Sequence, residues 1–529
     1  MSGVRESEAV LDSSPQAYRR RRHYLTAALI GLIAGLVAVA FRYALYAAEY
    51  GRSWLLDLLH VRVPTFGWTV PPVLGLLAGL AVGWMMRRCP EAAGSGIPHL
   101  KGVLLGARRL NGRTLLPIKF VSGVIGIGAG LSLGREGPTV QMGAAVGQLV
   151  AHVTRTPHRA VPQLLTCGAG AGLAAAFNAP LAGFIFVIEE LHRELSARTF
   201  VGAFVATIVA TAVAESIGGQ VPSFAIHVFE RLPLWALPAA ALLGVLGGLL
   251  GIAFNRALLA AGSAASRQSL LPRWTLPGLV GAVVGLVAWW MPSAVGGGHA
   301  PAEQLLAGHL RPVFAALVLW LAIKFATTVL SYGSGAAGGI FAPMLLLGAI
   351  LGAAFGRVSS HAVPALLEYE QAFAVLGMAA VFVGSVRAPL TGVVLISEMT
   401  ANYEQLFALS VTCLAAHLVG EAFREHPVYD ALLEADLRRR PGGPRGPMDG
   451  AEVQTLYLGI QRGSVLNDVA IRDAHLPPGV VIVAIERSGR EILPAGGTEL
   501  RAGDHITVSV PEGATETALA VARMCLPTD

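Results

Sequence analysis

The chain has 529 residues, 54% hydrophobic and 14% charged, where a soluble domain carries about 25% charged residues, and its mean hydropathy is +0.60. That balance excludes a soluble or disordered protein over most of the length and indicates a polytopic α-helical membrane protein with a soluble piece. The net charge of +6 comes largely from Arg19-Arg20-Arg21-Arg22 and Arg438-Arg439-Arg440, clusters that read as cytoplasmic anchors under the positive-inside rule; no basic stripe with interleaved aromatics points to nucleic acid.

Residues 1–22 are predicted to form a cytoplasmic tail, and the first apolar span is too long for a cleavable signal. The membrane part is predicted over 23–432. Its apolar stretches lie at 25–47, 67–86, 115–133, 139–153, 164–191, 198–218, 233–262, 275–292, 312–332, 340–357, 371–386, 389–400 and 404–423. Spanning a bilayer takes about 20 residues. Several stretches are shorter, or cut by Gly and Pro; in matching positions of two halves, such segments mark a transporter binding site.

Gly94-Ser95-Gly96-Ile97-Pro98 places a hydroxyl between two glycines ahead of a helix-compatible run. A serine can donate one hydrogen bond to an anion without adding charge; equally, it can be an ordinary N-cap. Next comes Leu131-Ser132-Leu133-Gly134-Arg135-Glu136-Gly137-Pro138, an adjacent arginine and glutamate in otherwise uncharged surroundings. An ionisable residue at membrane depth costs at least ~2.5–3.5 kcal/mol and is a functional-site hypothesis by default. Pro138 suits a first helical turn, so the stretch reads as a broken helix whose new N-terminus offers free N–H groups and a positive dipole end to an anion. The plainer reading is an Arg–Glu pair bracing two helices.

The two halves repeat, over about 67–218 and 275–423. Pro117-Ile118-Lys119-Phe120 recurs as Ala322-Ile323-Lys324-Phe325. Gly134 and Pro138 recur as Gly339 and Pro343, and Gly143 and Gly147 as Gly348 and Gly352, all at one offset of 205 residues. Asn178-Ala179-Pro180-Leu181-Ala182-Gly183 recurs as Arg387-Ala388-Pro389-Leu390-Thr391-Gly392 at an offset of 209, and Glu189 pairs with Glu398. This is an internal duplication. Gly338-Gly339-Ile340-Phe341-Ala342-Pro343 is thus the copy of the Glu136 stretch, without an ionisable group, so anion binding there falls to backbone N–H donors. After the last span, Tyr429 either reaches back with its hydroxyl or sits as an interfacial belt tyrosine.

Past Tyr429 the composition changes. Residues 433–450 read as a linker, with Pro441-Gly442-Gly443-Pro444 at its centre. Strands are predicted at Thr455–Ile460, Val480–Ile485 and His505–Val510, in a small α/β soluble domain over 451–527 that is large enough for its own core. The four cysteines, Cys89, Cys167, Cys413 and Cys525, show no CxxC or His/Cys spacing for a metal site or a disulfide framework.

Taken in order, Gly94–Pro98, Gly134–Pro138, Gly338–Pro343 and the final Tyr429, with the Asn178–Glu190 run, resemble the CLC family of chloride channels and chloride/proton exchangers over about 25–432. The resemblance implies inverted repeats and a homodimer with one pore per subunit. It implies that Ser95 and Tyr429 coordinate chloride through their hydroxyls and that Ile340 and Phe341 donate their N–H groups to the same ion, with Gly137 and Gly339 in the same anion-binding backbone. It implies that Glu136 is the gating glutamate, which competes with chloride when deprotonated and carries a proton when protonated, and that Glu190 is the internal proton glutamate. Three departures stand out: His99 and Lys101 replace acidic residues common after the first motif, and Ala337 replaces a frequent proline. Ser95, rather than proline or asparagine, points to chloride over nitrate or fluoride.

The tail resembles the TrkA-C module of potassium-conductance regulators through Gly463-Ser464, Leu476-Pro477, Gly479, Glu486-Arg487, Ile492, Pro494, Thr498, Leu500 and Gly503-Asp504. The resemblance implies dimerisation and regulation by an unidentified small ligand, a nucleotide among the choices, or else a passive stabilising role. The whole reads as a chloride/proton antiporter in the cell's inner membrane, with both termini cytoplasmic, needing no cofactor beyond its substrates. Its alternatives are a passive chloride channel gated by voltage or pH and a cation-transport subunit. The latter lacks a carbonyl filter, and a membrane enzyme lacks a catalytic motif.

Overall fold

The computed structural model describes residues 15–157, 160–192, 197–224, 231–310, 312–439, 453–487, 490–511 and 515–526. The chain forms two compact units, Met1–Gly443 and Pro444–Asp529. Among the described residues of the first, eight helices are long and apolar enough to cross a membrane.

Helix α1, Pro15–Arg62, opens the membrane unit. It enters the predicted tail and runs well past the predicted end at 47; its 48 residues measure about 70 Å at 1.5 Å per residue. No proline interrupts it, and its charged Arg52 does not end it because the guanidinium donates to Ile127 O and Gly128 O at 3.2 and 3.1 Å. The first repeat continues with α2 (Val70–Arg88), α3 (Ile97–Leu104), α4 (Gly112–Gly128), α5 (Glu136–Val153), α6 (Val161–Phe177), α7 (Pro180–Phe186) and α8 (Ala197–Gly218). The stretch predicted as one span over 164–191 is broken. Asn178 adopts a left-handed φ of 52°, Pro180 starts α7, and Val187–His192 continues as a π-helix, a distortion that often marks functional sites.

The second repeat holds α9 (Leu237–Arg267), α10 (Leu276–Trp290), α11 (His299–Leu306), α12 (Phe314–Gly333), α13 (Phe341–Ala362), α14 (Glu370–Val386), α15 (Pro389–Thr400) and α16 (Leu406–Ala422). Helix α17, Val428–Arg439, follows and occupies the start of the predicted linker, the rest of which lies outside the described residues.

Lipid provides no hydrophobic drive between helices, so close packing of small residues must hold them. At the α5–α6 crossing a Cβ on Gly143 would stand 2.1 Å from Gly168 O, and one on Gly168 would stand 2.0 Å from Gly143 O. The duplicate crossing of α13 and α14 repeats this at Gly348 and Gly377. Contacts between the halves are reciprocal, the signature of a twofold relation. Gly134 N donates to Gly339 O (2.6 Å) while Gly339 N donates to Gly134 O (2.7 Å). The Glu189 carboxylate accepts from Leu390 N and Thr391 N (3.1 and 2.7 Å). Its repeat partner Glu398 accepts from Leu181 N and Ala182 N (3.2 and 2.8 Å). The fold is a duplicated, inverted-repeat bundle.

The second unit has its own core. Its main sheet runs β1 (Val453–Gly459), β6 (His505–Pro511), β3 (Val481–Arg487), β4 (Arg490–Ile492), all neighbours antiparallel. Strands β2 (Val469–Ala470) and β5 (Glu499–Leu500) pair separately, and α18, Thr515–Met524, closes the chain. Ile506, Val508 and Val510 are buried at the period of two that a half-covered strand requires. They join Ile482, Ile485, Leu500 and Val521 in one apolar cluster. Gly503 turns at φ 87° to bring the buried Asp504 against Arg487, whose Nε and Nη2 each lie 2.7 Å from a carboxylate oxygen.

Candidate anion and proton site

Three helix starts converge in the membrane unit because their leading loops hydrogen-bond to one another. Gly94 N donates to Ala336 O (3.1 Å) and Gly338 N donates to Gly94 O (3.0 Å). With the Gly134–Gly339 exchange, this ties the starts of α3, α5 and α13 together. The contact is close: a Cβ on Gly137 would lie 2.8 Å from Ser95 O, and one on Gly339 would lie 3.0 Å from Gly137 N. Two buried lysines related by the repeat secure the loops. Lys119 Nζ donates to Ala92 O and Gly94 O (2.8 and 2.6 Å), and Lys324 Nζ donates to Gly296 O (2.8 Å).

Ser95 is fully buried; its Oγ accepts from Ile97 N at 3.3 Å and meets the Tyr332 hydroxyl. Ile340 caps α13 and Phe341 begins it, so their N–H groups have no intrahelical acceptor. Tyr429, in the first turn of α17, is also fully buried, and among the described residues its hydroxyl has no hydrogen-bond partner. It is therefore not an interfacial belt tyrosine. A buried donor left unpaired costs about 1–3 kcal/mol. These donors carry partial charges only, which suits a large, weakly hydrated anion that must also leave.

Glu136 is the first residue of α5, and its side chain is fully buried. Its Oε2 lies 3.3 Å from Ala342 N at the start of α13, so the carboxylate itself occupies an anion-binding helix end. Its Oε1 lies 2.7 Å from His299 Nε2. Bracing by Arg135 is not what the geometry shows. Arg135 Nε stands 4.0 Å from the carboxylate without a hydrogen-bond partner among the described residues, and the guanidinium lies over the Tyr46 ring at 5.2 Å.

The adjacent Glu189 and Glu190 are separated by role. Glu189 caps α15, whereas the buried Glu190 accepts from Lys101 Nζ at 2.7 Å, and Lys101 also pairs with Asp430, next to Tyr429. An aromatic series leads away from His299, with centroid distances of 6.3 Å for His299–Phe177, 5.3 Å for Phe177–Phe341 and 6.5 Å for Phe341–Phe186.

Two residues at the site went unread in the sequence. Tyr332 turns its hydroxyl onto Gly94 and Ser95. His299 begins α11, behind Gly296 and Gly298 at φ 68° and 89°; the first repeat has Gly94 and Gly96 at φ 64° and 87° ahead of α3. Gly296-Gly297-Gly298-His299 is thus the second copy of Gly94-Ser95-Gly96-Ile97. The sequence carries this copy at an offset of 202 residues, three fewer than the 205 of the later pairs.

Paired helix starts around buried hydroxyls, in a duplicated membrane bundle, define an anion-handling membrane transport protein. A family model described as voltage gated chloride channel matches residues 74–421, and one described as TrkA-C domain matches 460–522. The chain belongs to the CLC, or voltage gated chloride channel, family. It is 37% identical over 439 residues to the H(+)/Cl(-) exchange transporter ClcA of Cronobacter sakazakii, covering 80% of this chain and 92% of that one. To the protein of the same name from Vibrio parahaemolyticus it is 37% identical over 426 residues, covering 78% and 90%. Among solved structures it is similar to a slow cyanobacterial Cl-/H+ antiporter, with a TM-score of 0.76 and 34% identity over 79% of this chain and 99% of that one. It is also similar to a eukaryotic CLC transporter, with a TM-score of 0.67 and 25% identity over 78% and 74%.

Proposed function

We propose that this chain is a secondary transporter that exchanges chloride for protons, one pore per subunit of a homodimer. The observation that carries the reading is the Glu136 carboxylate lying on Ala342 N–H at the start of α13. One side chain fills the position that a permeant anion would take, so chloride passes only when the carboxylate leaves. It leaves readily when a proton neutralises it, and the two fluxes become mutually dependent. Ser95, Tyr429 and the N–H groups of Ile340 and Phe341 hold chloride, with the Gly137 and Gly339 backbone packed beside them. Glu190 passes protons between the inner side and Glu136. The protein resides in the cell's inner membrane with both termini cytoplasmic, and the TrkA-C domain takes a small regulatory ligand.

The salt bridge from Lys101 to Glu190 favours a second reading, a passive chloride channel, because it ties up the inner carboxylate. Flux measurement separates the two. In chloride-loaded liposomes, an antiporter drives protons uphill on a chloride gradient, and Glu136→Ala and Glu190→Gln each abolish that proton movement. Chloride flux through the wild-type protein with no accompanying protons sinks the exchange reading.

A further inference from the structure

The Glu136 carboxylate is held from two directions, and only one is backbone. His299 Nε2 lies 2.7 Å from Oε1, its side chain is 15% exposed, and Nδ1 is buried with no partner among the described residues. The ring is wedged between Phe177 and Phe224, at centroid distances of 6.3 and 5.7 Å. Its backbone starts α11, and the preceding loop is pinned by Lys324 through Gly296 O. The charge around it is mixed. Glu136 and Arg135 face it from the start of α5, Glu49 and Arg52 of α1 lie against Gly296 and Gly297, and Lys324 of α12 lies against Gly298.

We infer that His299 is a positioning residue for Glu136: its Nε2–H donates to the carboxylate and holds it on the start of α13, so that this bond must break each time the glutamate leaves the anion path. The inference rests on the reading of Glu136 as the gating glutamate. The geometry selects the Nε2–H tautomer, since a bare Nε2 would set a lone pair against the carboxylate oxygen. The second repeat thus carries a side-chain N–H donor where the first carries Ile97.

The test is chloride and proton flux from liposomes holding the full chain, at matched inner and outer pH. His299→Ala is expected to raise chloride turnover about tenfold or more at pH 7.5, the range for losing a hydrogen bond to a charged group, with the chloride-to-proton ratio unchanged. His299→Gln keeps an N–H donor without a titratable ring. It is expected to restore the slow rate. In a Glu136→Ala background, His299→Ala should change the chloride rate by less than twofold. A wild-type rate in His299→Ala would overturn the inference, as would a His299→Gln protein that behaves like His299→Ala. Should Glu136→Ala still move protons, the gating reading itself falls and takes this one with it. An uncoupled Glu136→Ala beside an unaltered His299→Ala defeats the His299 inference alone.

Discussion

Replacing Lys101 with methionine tests whether Glu190 is electrostatically held. Nζ lies 2.7 Å from Oε1, with the two side chains 7% and 3% exposed. At an effective dielectric of 20 the attraction at this separation is roughly 6 kcal/mol, most of it offset by desolvation of the two charges. The measurable quantity is different: methionine fills the volume but leaves Glu190 and Asp430 as carboxylates without their lysine. Breaking a buried pair from one side costs about 3–5 kcal/mol. Lys101→Met should therefore lower the unfolding free energy in a detergent–denaturant titration by about that amount. Adding Glu190→Gln should recover most of the loss, giving a coupling energy above ~2 kcal/mol. A loss below ~1 kcal/mol in the single variant, or two losses that simply add, would refute the reasoning. Lys101 would then be a solvated neighbour of Glu190.

Tyr429→Phe removes a buried hydroxyl that has no partner among the described residues. Unfolding free energy measured without chloride should stay within about 0.5 kcal/mol of wild type, while chloride affinity measured by calorimetry should fall severalfold; a large stability loss would mean the hydroxyl is bonded within the protein. In the tail domain, burial pushes the Asp504 carboxyl up, but the paired hydrogen bonds from Arg487 and the Arg501 N–H outweigh it and hold the group below its usual range. A depressed folded value means that the pair's stabilisation is complete above the unfolded value of about 3.9 and is lost as pH falls through the folded one. Hydrogen exchange of tail peptides in the full chain should accordingly show Asp504→Asn destabilised by about 1.5 kcal/mol at pH 7, the low end for a bond to a charged group because Arg487 is partly in water. The difference from wild type should shrink only below about pH 4.

The membrane class was legible in composition, and the broken helices in the placement of Gly and Pro. The repeat was legible because Lys119 and Lys324, Gly134 and Gly339, and Gly143 and Gly348 keep one spacing. Those residues must recur wherever a lysine pins a loop or two backbones touch, so a duplicated contact leaves a duplicated letter. Helix ends were less legible: α1 runs on to Arg62 through charged Arg52, since a charge that finds carbonyl acceptors does not end a helix.

What the sequence by itself singled out, then, was a short set of polar and ionisable residues in an apolar chain: Ser95, Glu136, Glu190, Tyr429 and the backbone at the start of α13. Their partners were decided by tertiary structure alone. Glu136 precedes Pro138 and follows Arg135, yet its carboxylate meets His299 and Ala342 of the other repeat. Glu189 and Glu190 are neighbours in the chain, yet one caps α15 and the other meets Lys101 of α3. The physical reason is the same in both cases. A side chain in a membrane bundle cannot satisfy its charge with water, so its partner is whichever group the crossing helices bring within about 3 Å, and that is set by backbone packing many residues away.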